Sequence, residues 1–221
     1  MKAFDILAKY REEFLIGIGV TLKIAMIVWV LGLIAGGILG VLGAKYKKFV
    51  GIPSKTISFI LGGIPTIVFL FWLHYPAQRI FDLVIDGFYS TIFALSVINT
   101  FLIADLVRNA LSNFPEQYIV SAEVMGFSSR EITWKIQIPL ILRQIMPSVL
   151  LTEIVMLHST LFGSFISVDE IFRIALRVNS EVYSPVEVFS LLAIFFLIIS
   201  LPIAGIAGWL KKKYSRNLSK V

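Results

Sequence analysis

Apolar residues run through this chain in five long blocks separated by short polar stretches. The blocks lie at 14–44, 57–75, 89–107, 146–166 and 188–209. A helix needs about 20 consecutive apolar residues to cross a hydrocarbon core of about 30 Å. Strands of a membrane barrel would instead alternate lipid-facing and lumen-facing residues, and these blocks are continuous. The pattern therefore predicts an all-α polytopic membrane protein with about five transmembrane helices. With no long polar segment to build a second, soluble unit, residues 1–221 read as a single transmembrane domain. The first block is too long for a signal-peptide core and no small-residue cleavage site follows it promptly, so it is expected to remain as a span.

Punctuation inside the blocks refines this picture. The first carries Gly32, Gly36 and Gly40, a four-residue spacing that lets another helix approach closely. Two readings stay open there, a defined packing seam or the general tolerance of glycine in membrane helices. The second block contains Gly62-Gly63-Ile64-Pro65, where the missing proline donor predicts a kink or a broken turn. After it, QRIFDLVIDGF (78–88) has the pattern of a short amphipathic helix lying at the interface. The segment 167–187 is external, and the fifth block ends in KKKYSRNLSK.

Charge orients the spans. With the N-terminus outside, the inner segments hold Lys45, Lys47, Lys48 and Lys55, then Arg108, Arg130, Lys135 and Arg143, then Lys211, Lys212, Lys213, Arg216 and Lys220. The outer segments hold only Lys2, Lys9, Arg11, Arg79, Arg173 and Arg177. Basic residues concentrate on the cytoplasmic side of membrane proteins, so the N-terminus is expected outside and the C-terminus in the cytoplasm. The net charge of +6 is thereby a topology signal and not a sign of nucleic-acid binding. Composition agrees with the class: 57% of residues are hydrophobic, against about 45–50% apolar in soluble domains. The chain has no cysteine, which excludes disulfides, thiolate metal sites and cysteine nucleophiles.

Ionisable groups inside membrane spans are costly, so each needs a partner or a purpose. At about 100° per residue, Glu153, Thr160, Ser164 and Ser167 share one face of the fourth span, with His158 well off it. Glu153 either pairs with Lys23 or a backbone donor, or lines a solute path. His158 either satisfies a neighbouring helix or contacts a ligand. Asn99 either lines a cavity or bridges helices. Asp105 lies three residues before Arg108, on the same helix face, and reads as half of an ion pair. His74 falls near the outer boundary, where solvent is expected to reach it. Asn99, Glu153, His158 and Thr160 are thus the candidate substrate-path residues.

The polar interruption at 114–147 is then cytoplasmic. Pro115 opens a helical stretch, EQYIVSAEVM, and Gly126 fits the left-handed residue that closes it. Ser128 or Ser129 can cap a second short helix, REITWKIQI, with Glu131 in its first turn, and Pro139 is expected to end it. Two short helices joined at a glycine make a compact knob, either for docking a partner or for resting on the lipid surface. No HExxH, phosphate-cradling glycine loop or Gly-x-Ser-x-Gly occurs, so no catalytic or metal site is expected.

Here the sequence resembles a known family, the membrane subunits of ATP-driven, binding-protein-dependent importers. Their loop motif reads Glu-Ala-Ala, three residues, Gly, nine residues, Ile, one residue, Leu-Pro. Val120-Ser121-Ala122, Gly126, Ile136, Ile138 and Pro139 keep every spacing, with Val, Ser and Ile replacing the motif's Glu, first Ala and Leu. Gly17-x-x-x-Thr21-Leu22, Gly63-Ile64-Pro65, Ala104-Asp105-x-x-Arg108, Phe114-Pro115 and Ser184-Pro185 resemble the polar amino-acid branch. Met156-Leu157-His158-Ser159-Thr160 is similar to a stretch in importers of histidine, lysine, arginine and ornithine. Glu153 is not carried by that family, whose usual acid falls at Thr152.

The resemblance implies a type I importer fold in the bacterial inner membrane, with a cytoplasmic coupling helix. It assigns Ser121, Ala122, Glu123, Gly126, Ile136 and Pro139 to coupling with a separate ATP-binding-cassette ATPase. That ATPase would carry the ATP and Mg, leaving this chain without a cofactor or enzymatic activity of its own. A second membrane subunit, identical or paralogous, and an extracytoplasmic amino-acid-binding protein complete the assembly it implies. The cargo it implies is a polar or basic amino acid. The competing class, a self-contained channel or secondary carrier, needs acidic residues strung along its path, and Asp105 and Glu153 are few for that purpose.

Overall fold

The computed structural model describes residues 3–218, with side chains through 214, and every regular element among them is helical. Lys2, Lys220 and the side chain of Arg216, all counted in the charge argument, lie outside this description. A short helix α1 (Ala3–Lys9) leads into α2 (Arg11–Lys45), the first span. A π turn then opens α3 (Ile52–Gly63), followed by α4 (Thr66–Trp72), a second π turn and the single turn α5 (Gln78–Ile80). The third span is α6 (Gly87–Ser112). The polar loop holds α7 (Glu116–Val124) and α8 (Ser129–Glu131), and α8 runs through a π turn into α9 (Ile138–Ser159). A 3-10 segment, Thr160–Ile166, ends that span before α10 (Ile171–Val182) and α11 (Pro185–Leu218).

Among the described residues four helices are long and apolar enough to cross a membrane unaided, and the bent unit α3–α5 is the candidate for a fifth crossing. The helix bends by 101° between its two arms, across Ile64-Pro65. Both arms pack along α6, and the contacts give the direction. At one end Arg108 donates to Ser54 Oγ (3.1 Å) and Ser58 donates to Asp105; at the other His74 Nδ1 meets Ser90 Oγ at 2.9 Å. Ser90 and Arg108 are separated by about 27 Å of helix at 1.5 Å per residue, close to the thickness of a hydrocarbon core. The bent unit therefore enters at one face of the membrane and leaves at the other, which gives five spans.

The centre of the bundle is the contact between α2 and α6. Gly32, Gly36 and Gly40 all face α6, settling the glycine spacing as a seam. A Cβ on Gly36 would lie 2.6 Å from the Thr100 carbonyl and 2.7 Å from Ile103 Cβ; one on Gly40 would lie 2.6 Å from Val107 Cβ. At Gly32 the space is filled by the Asn99 amide. Beside this seam Ile24, Val28, Leu70, Leu95 and Met156 form a buried core drawn from four spans.

At the outer end α10 is strongly amphipathic and lies across the bundle, with Ile171, Ile174 and Val178 packed on Ile6, Tyr10 and Phe14. Glu170 caps it, accepting from the N–H groups of Phe172 (3.0 Å) and Arg173 (2.9 Å). That carboxyl is fully buried, and burial pushes its pKa up to about 7. Thr21 Oγ1 accepts from Ile171 N at 3.1 Å, while Gly17 leaves room for Ile174, so the Gly17-x-x-x-Thr21 pair is the bed of α10.

Several expectations are corrected. The helix expected over 78–88 stops at Ile80, because Asp82 takes a left-handed φ of 49° and turns the chain. Pro139 does not end a helix: the π turn before it shifts the hydrogen-bond register, and Pro139 sits in the first turn of α9, where its missing donor costs little. Rotation along the fourth span is not a constant 100°, since winding tightens after Ser159 and takes Ser164 and Ser167 off the Glu153 face, while Thr160, at the start of the tighter segment, stays on it. Finally, His74 is half-buried and bonded to Ser90 and Gln78, not simply solvated.

The seam makes a prediction that a matched pair of substitutions tests. Gly36→Ala and Gly37→Ala gain the same helix propensity, but a Cβ at Gly37 meets nothing within 4 Å. Gly36→Ala should lower stability by about 1–3 kcal/mol relative to Gly37→Ala, the cost of overpacking. Unfolding in detergent measures this, and equal stability of the pair would remove the seam from the fold's foundations.

Candidate functional site

Two places gather the candidate residues, the loop between α6 and α9 and a polar cluster midway through the spans. In the loop, α7 closes in a Schellman turn. Phe127 N donates to Ala122 O at 3.1 Å and Gly126 N to Glu123 O at 2.9 Å, with Gly126 at a φ of +85°. Only a residue without Cβ takes that conformation without cost. Ser128 then caps the next helix in a capping box: its Oγ accepts from Glu131 N (3.4 Å) while Glu131 Oε2 accepts from Ser128 N (3.1 Å). Lys135 donates to Glu131 Oε1 at 2.7 Å. The Lys135 ammonium, with the Ser128 donors, holds the Glu131 carboxyl down at about 2, so the box stays charged at working pH.

Burial divides the predicted coupling residues into two roles. Ala122 is buried, Ile136 and Pro139 are half-buried, and Ser121, Glu123 and Gly126 are exposed. Ala122 therefore packs inside the knob, and Gly126 sets its turn through the backbone. The knob's apolar outer surface is made by Val120, which stands where the motif has Glu, and by Val124, Met125 and Trp134, which the motif does not include; all four are exposed, Val124 to 84%. Apolar side chains in an otherwise polar loop were the available signal for this surface. An exposed apolar patch on a rigid turn outside the membrane has the composition of a docking face.

The intramembrane cluster brings together two of the four predicted path residues. Asn99 Nδ2 lies 3.2 and 3.1 Å from the two carboxylate oxygens of Glu153 and 3.2 Å from Val28 O. Trp29 Nε1 donates to the Glu153 main-chain carbonyl at 2.9 Å. Both polar side chains are buried, and Asn99 Oδ1 has no hydrogen-bond partner among the described residues. Of the alternatives for Glu153, pairing with Lys23 does not form, since Lys23 reaches over the Phe88 ring instead, 5.2 Å from its centroid. Glu153 also borders a largely apolar cavity of about 410 Å³ with Trp29, Leu33, Val107 and Val149.

His158 and Thr160 stand apart from that pair. His158 Nε2 meets Ser200 Oγ at 2.9 Å and its ring packs edge-on against Phe196, so it joins α9 to α11. Thr160 is buried and its hydroxyl donates to Leu157 O within its own helix. Asp105 and Arg108 form the expected ion pair, and their bonds to Ser58 and Ser54 extend it to α3.

Comparison with known proteins gives this geometry a context. The octopine transport system permease protein OccM of Rhizobium radiobacter is 26% identical over 196 residues, covering 85% of this chain and 80% of that one. HisM of Salmonella typhimurium, a histidine/lysine/arginine/ornithine transport system permease protein, is 26% identical over 212 residues, covering 89% and 90%. The fold matches a solved structure of an amino acid ABC transporter with histidines at a TM-score of 0.82 and 19% identity, covering 94% of this chain and 96% of that one. An inward-facing structure of the MetNI methionine ABC transporter matches at a TM-score of 0.70 and 22% identity, covering 91% and 98%. Residues 30–216 match the family described as binding-protein-dependent transport system inner membrane component, and the chain belongs to that family.

Proposed function

We propose that this chain is the translocation subunit of an ATP-driven importer for amino acids, moved by a separate ATP-binding-cassette ATPase that grips the loop between α6 and α9. The observation that carries this reading is the knob itself, an apolar surface on two capped helices, rigidly continuous with the span that bears Glu153. A push on Trp134 reaches Glu153 through one continuous helical unit, Ser129–Ile166. Differential contact of the knob with open and closed states of the ATPase would bias a two-state membrane core. ATP and Mg then bind on the partner, and this chain performs no catalysis. A second membrane subunit, identical or paralogous, encloses the path with it, and a binding protein delivers solute at the outer face.

The cargo we propose is a polar amino acid, with basic ones favoured. Relatives named for histidine, lysine, arginine, ornithine and octopine transport support this. So does the Glu153 carboxylate, which has no cationic partner among the described residues and whose one hydrogen-bonded side chain is the neutral Asn99. A buried carboxylate is costly without a counter-charge, and a passing ammonium or guanidinium supplies one.

Two variants test the two halves of this reading. Gly126→Asp places a Cβ in a left-handed backbone, a strain of about 1–2 kcal/mol, and about 1.4 kcal/mol is tenfold in affinity. ATPase recovered by pull-down should fall roughly tenfold while membrane insertion is unchanged; normal recovery and normal uptake would discard the docking face. Glu153→Gln keeps the size of the side chain and a hydrogen bond to Asn99 but removes the charge. ATP-dependent uptake of arginine and lysine should drop by about tenfold with assembly intact, and neutral amino acids should be affected less. Unchanged uptake across an amino-acid panel would take Glu153 out of the path.

A further inference from the structure

We infer that the cleft where α7, the start of α9 and the end of α11 meet binds the phosphate of an anionic phospholipid from the inner leaflet. Phe114, Tyr118, Leu140, Arg143, Gln144 and Tyr214 line a cavity of about 120 Å³ there, at the neck of the cytoplasmic loop. The fourth span gives its depth. Arg143 lies ten residues before the mid-membrane Glu153 on the same helix, about 15 Å at 1.5 Å per residue. That is half of a hydrocarbon core of about 30 Å, so Arg143 stands at headgroup level on the cytoplasmic side. Basic and aromatic residues collect at that level, and α11 supplies more of both. The Lys213 ammonium lies 4.6 Å from the centroid of the Trp209 ring and 5.8 Å from that of Tyr214.

The polar groups of the cleft are uncommitted. Arg143, Gln144 and the hydroxyls of Tyr118 and Tyr214 have no hydrogen-bond or ion-pair partner among the described residues. No carboxylate lines the cavity. A guanidinium presents a planar fork of donors that matches a phosphate, and two phenol hydroxyls and an amide add donors around it. One fixed charge among neutral donors is the complement of a phosphodiester monoanion.

Size and surroundings select a lipid. The cavity is well below the roughly 300 Å³ at which pockets enclose whole small molecules, so it takes one group of a larger molecule. Exposed apolar side chains on the same helices show where the rest would lie: Leu142, beside Arg143, is 48% exposed and Trp209 is 58% exposed. Such surface suits acyl chains, and basic pockets between spans on the cytoplasmic side bind anionic headgroups. The exposed Val124, Met125 and Trp134 do not line the cleft, which keeps it apart from the docking face. A phosphate held there bridges α7, α9 and α11, so the charge of the inner leaflet bears on how the loop is seated.

Native mass spectrometry of the complete complex, purified with its ATPase in neutral detergent, tests this by counting bound lipid during titration with phosphatidylglycerol or phosphatidylcholine. The unaltered protein should hold phosphatidylglycerol about tenfold more tightly than phosphatidylcholine. Arg143→Gln should abolish that preference and Arg143→Lys should keep part of it. Tyr214→Phe, which keeps the ring, should weaken phosphatidylglycerol about threefold. Lys55→Gln removes the same charge from an exposed position at the same membrane face and should change nothing. Inorganic phosphate at matched concentration should not displace the lipid. Equal affinity for the two lipids, or equal losses in Arg143→Gln and Lys55→Gln, would overturn the inference. Displacement by inorganic phosphate would mark a site for free anions and overturn it too. So would loss of the ATPase from Arg143→Gln with phosphatidylglycerol retained, which would assign the cleft to protein docking.

Discussion

The structure depends on the close approach of α2 and α6. In a bilayer the surrounding lipid is as apolar as leucine, so helices associate through tight packing and buried polar contacts. Gly32, Gly36 and Gly40 bring the two backbones together over two turns. The same seam admits Asn99, whose amide lies where a larger residue at 32 would sit. Asn99 then holds Glu153 of the fourth span, and Trp29 of the first holds the Glu153 backbone. Three spans are thus joined at one mid-membrane point by small residues and four polar contacts.

From that point the mechanical connections run toward the cytoplasm along two routes. One is the helix from Ser129 to Ile166, made continuous across Pro139 by the π turn. The other is α6, whose last turns carry Asp105 and Arg108 and tie α3 alongside through Ser58 and Ser54. The loop lies between these two rods. Its capping box and Schellman turn define its internal geometry.

Much of this was legible in the residues. Five apolar blocks specified five crossings, and Pro115, Gly126 and Ser128 specified the start of α7, the turn that closes it and the cap of the next helix, whereas Pro139 suggested an end that does not occur. The Asp105–Arg108 pair followed from its i,i+3 spacing. Other features were hidden because they depend on partners distant in sequence. Nothing local distinguishes Lys23 from Asn99 as the partner of Glu153, and a constant helical rotation could not anticipate the tightening after Ser159. In the loop, the motif drew attention to Ala122, which is buried, and away from Val124, Met125 and Trp134, which form the surface.

The sequence by itself determined the spans, their orientation by charge, and the loop's local geometry. Each follows from hydropathy, capping or backbone preference within a few residues. Only the tertiary structure decided which polar groups meet inside the membrane and which stay unsatisfied. That Asn99 takes up Glu153 and that His158 turns to α11 are consequences of how the helices cross. Crossing is set by packing between residues as far apart as Gly36 and Ile103, and such packing is a property of the assembled bundle and not of any segment within it.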